Sequence, residues 1–304
     1  MIWPYKKAKV QELHESLFEE KGVRVFMLRD DLLHPGISGN KWRKLKFNVL
    51  DVAAKKLDTL VTVGGSHSNH IAAVAASGKE FGFKTIGLIR GYEAYRNNPT
   101  LKQAAELGME VRFLDKAQYE ELDGVHLPNL KQEVGEFYFV PMGGGNELGT
   151  KGSMEIVNDI PQNTSHIAVA CGTGSTLAGI HLAACQEQTC LGFPVMKNGG
   201  FIRDEVNEFQ KNFPNPVAKL ELVTDYHFGG FGKMKPELIT FINEFYQKHQ
   251  IPLDGIYTGK MMFGLYELIE KNHFPTGSII TAIHTGGVQG NKGLMERYFV
   301  SLPL

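Results

Sequence analysis

The sequence predicts an α/β protein with largely parallel sheets. Short apolar runs alternate with longer amphipathic stretches along most of the chain. Glycine clusters follow those runs at Gly64-Gly65, Gly143-Gly144-Gly145, Gly172 and Gly286-Gly287. A repeated order of strand, glycine turn and helix gives strands that run the same way under covering helices. At 304 residues the chain can bury a sizeable core in one domain or two.

The elements follow in order. Residues 23–28 (VRVFML) read as a strand ending in the charged turn Arg29-Asp30-Asp31. Residues 42–55 read as a helix, with Leu45, Val49 and Ala53 on one face. Residues 59–65 (TLVTVGG) form a buried strand closing in glycines, and a helix rich in small residues begins over 71–76. Residues 84–91 are a strand, 101–107 a helix stopped by Gly108, and 109–114 a strand. The pattern then repeats: extended chain at 137–142, a helix at 153–160, a strand at 166–172 and a helix at 176–185. Strands at 191–196 and 220–224 flank a helix at 204–213. Helices at 236–249 and 260–271 and a strand at 278–287 complete the series.

Charge and cysteine content narrow the function. Basic and acidic residues number 32 and 33, so there is no electrostatic reason to expect nucleic acid or an anionic membrane as partner. Cys171, Cys185 and Cys190 cannot all pair and form no CxxC, so neither a disulfide framework nor a structural zinc site is expected, and a cytoplasmic location fits. The first twenty residues lack the apolar core of a signal peptide, and no apolar run approaches a membrane span.

Five constellations carry candidate chemistry, each with a plainer structural reading beside it. Lys41 follows Gly39-Asn40 at the head of a helix, where the helix dipole disfavours an ammonium and suits imine chemistry. Taken alone it reads first as a solvated lysine in a basic run with Lys44 and Lys46. Gly172-Thr173-Gly174-Ser175-Thr176 joins a buried strand to a helix, so its amides can cradle a phosphate or merely cap the strand. No Lys or Arg lies in that segment, which suits a monoester held by backbone amides. Ser68, Asn69 and His70 end a glycine turn and can hold a carboxylate or a ring hydroxyl, or act as an N-cap. His67 and His70 lack a third ligand at convincing spacing, so no metal is expected. Tyr257 at a loop-helix junction can stack on a flat cofactor or be an ordinary half-buried aromatic. Thr285 at a strand end can meet a ring nitrogen or form a local turn.

Together, SGNKWRKLKF, GGSHSNH, PMGGGNELG, VACGTGST, DGIYTGKMM and AIHTGG occur in the order found in the D-cysteine desulfhydrase and 1-aminocyclopropane-1-carboxylate (ACC) deaminase family. The chain resembles that family over residues 20–290, and through it the tryptophan-synthase-β-like enzymes that use pyridoxal 5′-phosphate (PLP). The resemblance implies two three-layer α/β/α domains, 1–40 with 146–304 and 41–145, with PLP in the cleft between them. It implies Lys41 as the Schiff-base lysine, Gly172 through Thr176 as the phosphate loop and Thr285 as the partner of the pyridine nitrogen. Ser68, Asn69 and His70 become substrate-binding residues, Asn69 also meeting the ring hydroxyl, and Ser68 and Tyr257 join Lys41 as catalytic candidates.

The implied activity is α-proton abstraction and β-elimination from a small amino acid such as D-cysteine, in a homodimer. ACC deaminase is the alternative, and a PLP-binding protein of low catalytic activity a further one. Two departures weigh on the choice. ACC deaminases carry Tyr-Glu where this chain has Tyr257-Thr258, and relatives tend to have Gly-Tyr-Gly where this chain has Gly230-Phe231-Gly232.

Overall fold

The computed structural model describes residues 3, 4 and 6–304. Its strands are β1 (Lys9–Leu13), β2 (Arg24–Arg29), β3 (Thr59–Gly65), β4 (Lys84–Arg90), β5 (Met109–Leu114), β6 (Tyr138–Val140), β7 (His166–Cys171), β8 (Thr189–Pro194), β9 (Lys219–Leu222) and β10 (Ile279–Ile283). They form a six-stranded sheet, β1-β2-β10-β7-β8-β9, and a four-stranded sheet, β5-β4-β3-β6. Every neighbouring pair is parallel except β1 with β2.

Helices cover both sheets. They are α1 (Ser16–Glu20), α2 (Asn40–Ala54), α3 (Asn69–Phe81), α4 (Pro99–Glu106), α5 (Lys116–Glu120), α6 (Leu127–Val134), α7 (Glu147–Met154), α8 (Ser175–Ala183), α9 (Ile202–Gln210), α10 (Pro236–His249), α11 (Thr258–Glu270) and α12 (Asn291–Tyr298). None of the described helices is long and apolar enough to cross a membrane.

Strand periodicity explains the layers. Along β7, Ile167 and Val169 enter one apolar cluster while Ala168 and Ala170 enter another on the opposite face. In β3, Leu60 and Val61 likewise face different clusters. The first of these clusters runs continuously from Leu60 and Val140 of the smaller sheet, through Leu45 and Val49 of α2, to Ile167 and Val169 of the larger. Both faces of each sheet are therefore buried, which is why its central strands read as nearly unbroken apolar runs.

A buried ionic cluster seats α2. The Arg43 guanidinium donates to Asp30 Oδ1 (2.7 Å) and Oδ2 (3.2 Å) beyond β2, to Asp159 Oδ2 (2.7 Å) and to the Glu155 carbonyl (3.3 Å). Losing one partner of such a cluster would leave a buried charge uncompensated, a cost of about 3–5 kcal/mol. The helix that carries Lys41 is thus pinned two residues further on.

Some sequence expectations need correction. The helix expected over 153–160 begins earlier, as α7, and Glu155–Asp159 is a 3₁₀ turn. Gly149 and Gly152 disguise it as a loop, yet both are buried at close helix contacts, and a methyl group on Gly152 would lie 2.1 Å from the Arg43 carbonyl oxygen. The extended stretch at 137–142 is strand only over Tyr138–Val140, since Pro141 has no amide to continue the ladder. Strand β1 and helices α1, α5, α6 and α12 were not anticipated.

Candidate active site

The glycine-marked strand ends converge where α2 begins. Gly39 has φ 63°, and a methyl group on it would lie 1.9 Å from the Thr285 carbonyl oxygen. Only glycine permits this contact, through which the amide of Asn40 donates to the same oxygen at 3.2 Å. The Asn40 side chain donates to Thr176 Oγ1 at 2.8 Å, joining α2 to the turn after β7. Lys41 follows, half-buried, with Nζ 3.5 Å from the Gly143 carbonyl. Burial pulls its amine down to about 8, so a neutral nucleophilic form is accessible near neutral pH.

The turn between β7 and α8 leaves backbone donors uncapped. Gly174 precedes α8 in a left-handed conformation (φ 85°) and offers no side chain, so the first amides of the helix have no cap. Thr173 Oγ1 lies 3.1 Å from Ser175 Oγ. The absence of a basic residue from this segment does not mean the absence of one from the site. Lys44 reaches in from α2 and donates to Ser175 Oγ at 2.5 Å. Lys44 is 1% exposed, and among the described residues no acidic side chain pairs with it. Burial, with Lys41 adding to it, holds its pKa well below the ordinary lysine value. A bound dianion would restore its charge. Lys41 and Lys44 share a helix face by their spacing of three, while Lys46 turns outward to Glu155.

The remaining residues close in from other elements. Ser68 caps α3, its Oγ accepting from the amides of His70 (3.2 Å) and Ile71 (3.4 Å). Asn69 Oδ1 accepts from Gln289 Nε2 at 3.0 Å, and its Nδ2 lies against Gly287. His70 is buried. Thr62 donates its hydroxyl to the Val140 carbonyl, so His70 Nε2 is the donor to Thr62 at 2.9 Å. That leaves Nδ1 as a bare acceptor, without a partner among the described residues. Burial first, then Lys41 and Lys44, keep the ring neutral. Gly144 is wedged between this ring and the Lys44 stem.

Tyr257 stands at the head of α11 with its ring against Gly172. Burial raises its phenol, with the Asp254 carboxylate adding to the effect, so the hydroxyl stays protonated. Asp254 organises this corner by accepting from the amides of Ile256, Tyr257 and Thr258 and from the Thr258 hydroxyl. Cys171 is no rival nucleophile, because burial pushes its thiol up to about 12.

A family profile for pyridoxal-phosphate dependent enzymes matches residues 9–286. The chain belongs to that family.

This PLP enzyme is 34% identical to a Pyrococcus furiosus protein provisionally named 1-aminocyclopropane-1-carboxylate deaminase, over 88% of this chain and 86% of that one. It is 30% identical to the D-cysteine desulfhydrase of Yersinia pestis (strain Pestoides F), over 88% and 87%. The crystal structure of an ACC deaminase homologue superposes with a TM-score of 0.82 at 29% identity, covering 98% of this chain and 94% of that one. O-ureido-L-serine synthase shares the fold, at a TM-score of 0.70 and 16% identity over 95% of this chain and 92% of that one.

The donor set fits PLP. The uncapped amides of α8, the Thr173 and Ser175 hydroxyls and the buried Lys44 amine match a phosphate monoester. Lys41 would supply the amine that an aldehyde requires. Sequence reasoning missed Lys44, Asn40, Asp254 and Gln289. For Lys44 the spacing from Lys41 was a usable signal; the others act through partners distant in the chain.

Proposed function

We propose that this PLP enzyme removes an α-proton and a β-substituent from a small amino acid, D-cysteine above all. D-cysteine and water would give a 2-oxo acid, ammonia and sulfide. The observation that carries this reading over ACC ring opening is the bonding of Thr258. Its hydroxyl donates to Asp254 Oδ2 at 2.7 Å and accepts from the Asp254 amide at 2.9 Å, so it has no proton left to donate to a cofactor ring nitrogen. The ACC deaminases this chain resembles carry a glutamate there. The identity with the Pyrococcus protein favours ACC deamination as the second reading.

PLP, when bound, supplies an electron sink for charge at the substrate α-carbon. Lys41 would hold the cofactor, and its Nζ, as a free amine, would take the substrate α-proton. The Ser68 Oγ accepts from two helix amides and keeps its own proton to donate to the substrate carboxylate, beside Asn69 and His70. Thr285 would offer a pyridine nitrogen only a neutral hydroxyl, a weaker partner than a charged side chain. Tyr257 presents a protonated phenol to the leaving group. The grouping of β3 through β6 in one sheet and the other strands in the second supports two units, 1–40 with 146–304 and 41–145.

The test is a side-by-side assay of D-cysteine, L-cysteine, D-serine and ACC. Product from D-cysteine at a kcat/KM at least about tenfold above that for ACC supports the reading, a margin of about 1.4 kcal/mol. A preference for ACC overturns it, and a bound-cofactor absorption band with no product from any of the four favours a binding protein. Lys41→Ala should abolish that band and lower turnover by at least about a hundredfold.

A further inference from the structure

Lys260 is a buried lysine that the proposed chemistry does not use. It sits in the first turn of α11, three residues after Tyr257, and is 1% exposed. Its Nζ donates to the carbonyls of Gly230 (2.8 Å), His227 (3.0 Å) and Val195 (3.5 Å). An ammonium has three N–H donors, so these carbonyls occupy all of them. The location is unfavourable for a cation, because the helix begins there with its positive dipole end. Burial pulls the amine down to about 8, and the Asp254 carboxylate works against that pull. An apolar side chain would fill the space but would leave three buried carbonyls without this donor.

What Lys260 holds is the glycine-rich loop at 227–232. The loop carries Phe231, 50% exposed, whose ring meets Tyr257 edge-on with centroids 5.9 Å apart. Tyr257 in turn lies against Gly172, where the phosphate turn begins. On the far side of the loop, Tyr298 donates its hydroxyl to the Gly232 carbonyl at 3.0 Å. Val195, the remaining partner of Lys260, directly follows β8. One amine therefore links the end of β8, the start of α11 and a loop whose apolar anchor is Phe228, edge-on against Phe263.

We propose that Lys260 is a positioning residue that tethers the loop at 227–232 and so holds Phe231 as a fixed wall beside Tyr257, limiting which side chains enter the site. The inference rests on Tyr257 lining the substrate pocket, as set out above.

Hydrogen exchange on the PLP-loaded enzyme tests it without any substrate. In Lys260→Met, amides 228–233 should exchange at least about tenfold faster than in wild type, while those of β8 and the rest of α11 stay within about twofold. The bound-cofactor absorption band should persist, and KM for the best amino acid in the panel should rise more than kcat falls. Lys260→Gln retains two N–H donors and should fall between the two proteins; it also serves as the test if the methionine variant does not fold. Unchanged exchange at 228–233 overturns the tether. Equal acceleration through α11 and β8 also overturns it, because Lys260 would then be a core residue only. Because exchange is read without substrate, failure on D-cysteine would leave this result standing by itself.

Discussion

Two strand-to-helix turns meet at this site, and they treat the opening amides of their helices in opposite ways. After β3, Ser68 caps α3 and occupies the amides of His70 and Ile71. After β7, Gly174 offers no cap, and the amides of α8 stay free. A buried lysine from another helix donates a hydrogen bond into the second turn, to Ser175, and among the described residues none does so in the first. In sequence the two look alike: an apolar run, glycines, then serines. If the second turn holds the phosphate, what sets it apart is that its helix is left uncapped and a cation is supplied from elsewhere.

Lys44→Met breaks the comparison most sharply. It keeps an unbranched side chain but removes the buried amine beside the uncapped turn. A charge-assisted hydrogen bond to phosphate is worth about 1.5–3 kcal/mol, so PLP should bind about 10–100-fold more weakly. The apoprotein should be no less stable in denaturant, because the variant no longer buries an unpaired amine. Unaltered PLP affinity would mean that backbone amides alone hold the phosphate, as the local sequence suggests.

The second way to sharpen it uses pH. Lys41 feels burial much as Lys44 does, with an amine near 8. Imine formation needs the neutral amine, so reloading of apoprotein with PLP should reach a plateau above about pH 8. Below that the rate should fall about tenfold per unit, as protonation removes the nucleophile. The growth of the bound-cofactor absorption band measures it. A rate still rising at pH 10 would place Lys41 in water rather than in a dry cleft.

Much of this architecture is legible in the sequence because its signals are local. The helix at 236–249 is bounded by its own proline and the strand at 109–114 by its own glycine, and both appear where expected. Strand β1 was not legible. KVQEL carries too few apolar residues, and only pairing with β2 makes it an edge strand. The site divides the same way. Gly172, Tyr257 and Thr285 are marked by motifs that local turns impose. Lys44 has the right spacing from Lys41, but its burial depends on Ser175, far along the chain. Asp254 stands in the DGIYTGKMM motif with no role of its own, and only the folded loop shows that it fixes Tyr257 and engages Thr258.

The smallest predicted effects come from the two serines, and they test whether capping and anion binding are separate functions. Ser68→Ala removes a cap and should cost the apoprotein about 1 kcal/mol of stability while PLP affinity holds. Ser175→Ala removes a hydroxyl that faces Lys44 and Thr173 but caps nothing. It should lower PLP affinity about tenfold, as loss of one hydrogen bond to a charged group does, and cost the apoprotein about 1 kcal/mol, because the buried Lys44 amine loses its acceptor. The pair is read by denaturant melts of both apoproteins and PLP titrations of both variants. If each serine moved both quantities equally, the two turns would share one role, and the free amides of α8 would have to be explained by packing alone.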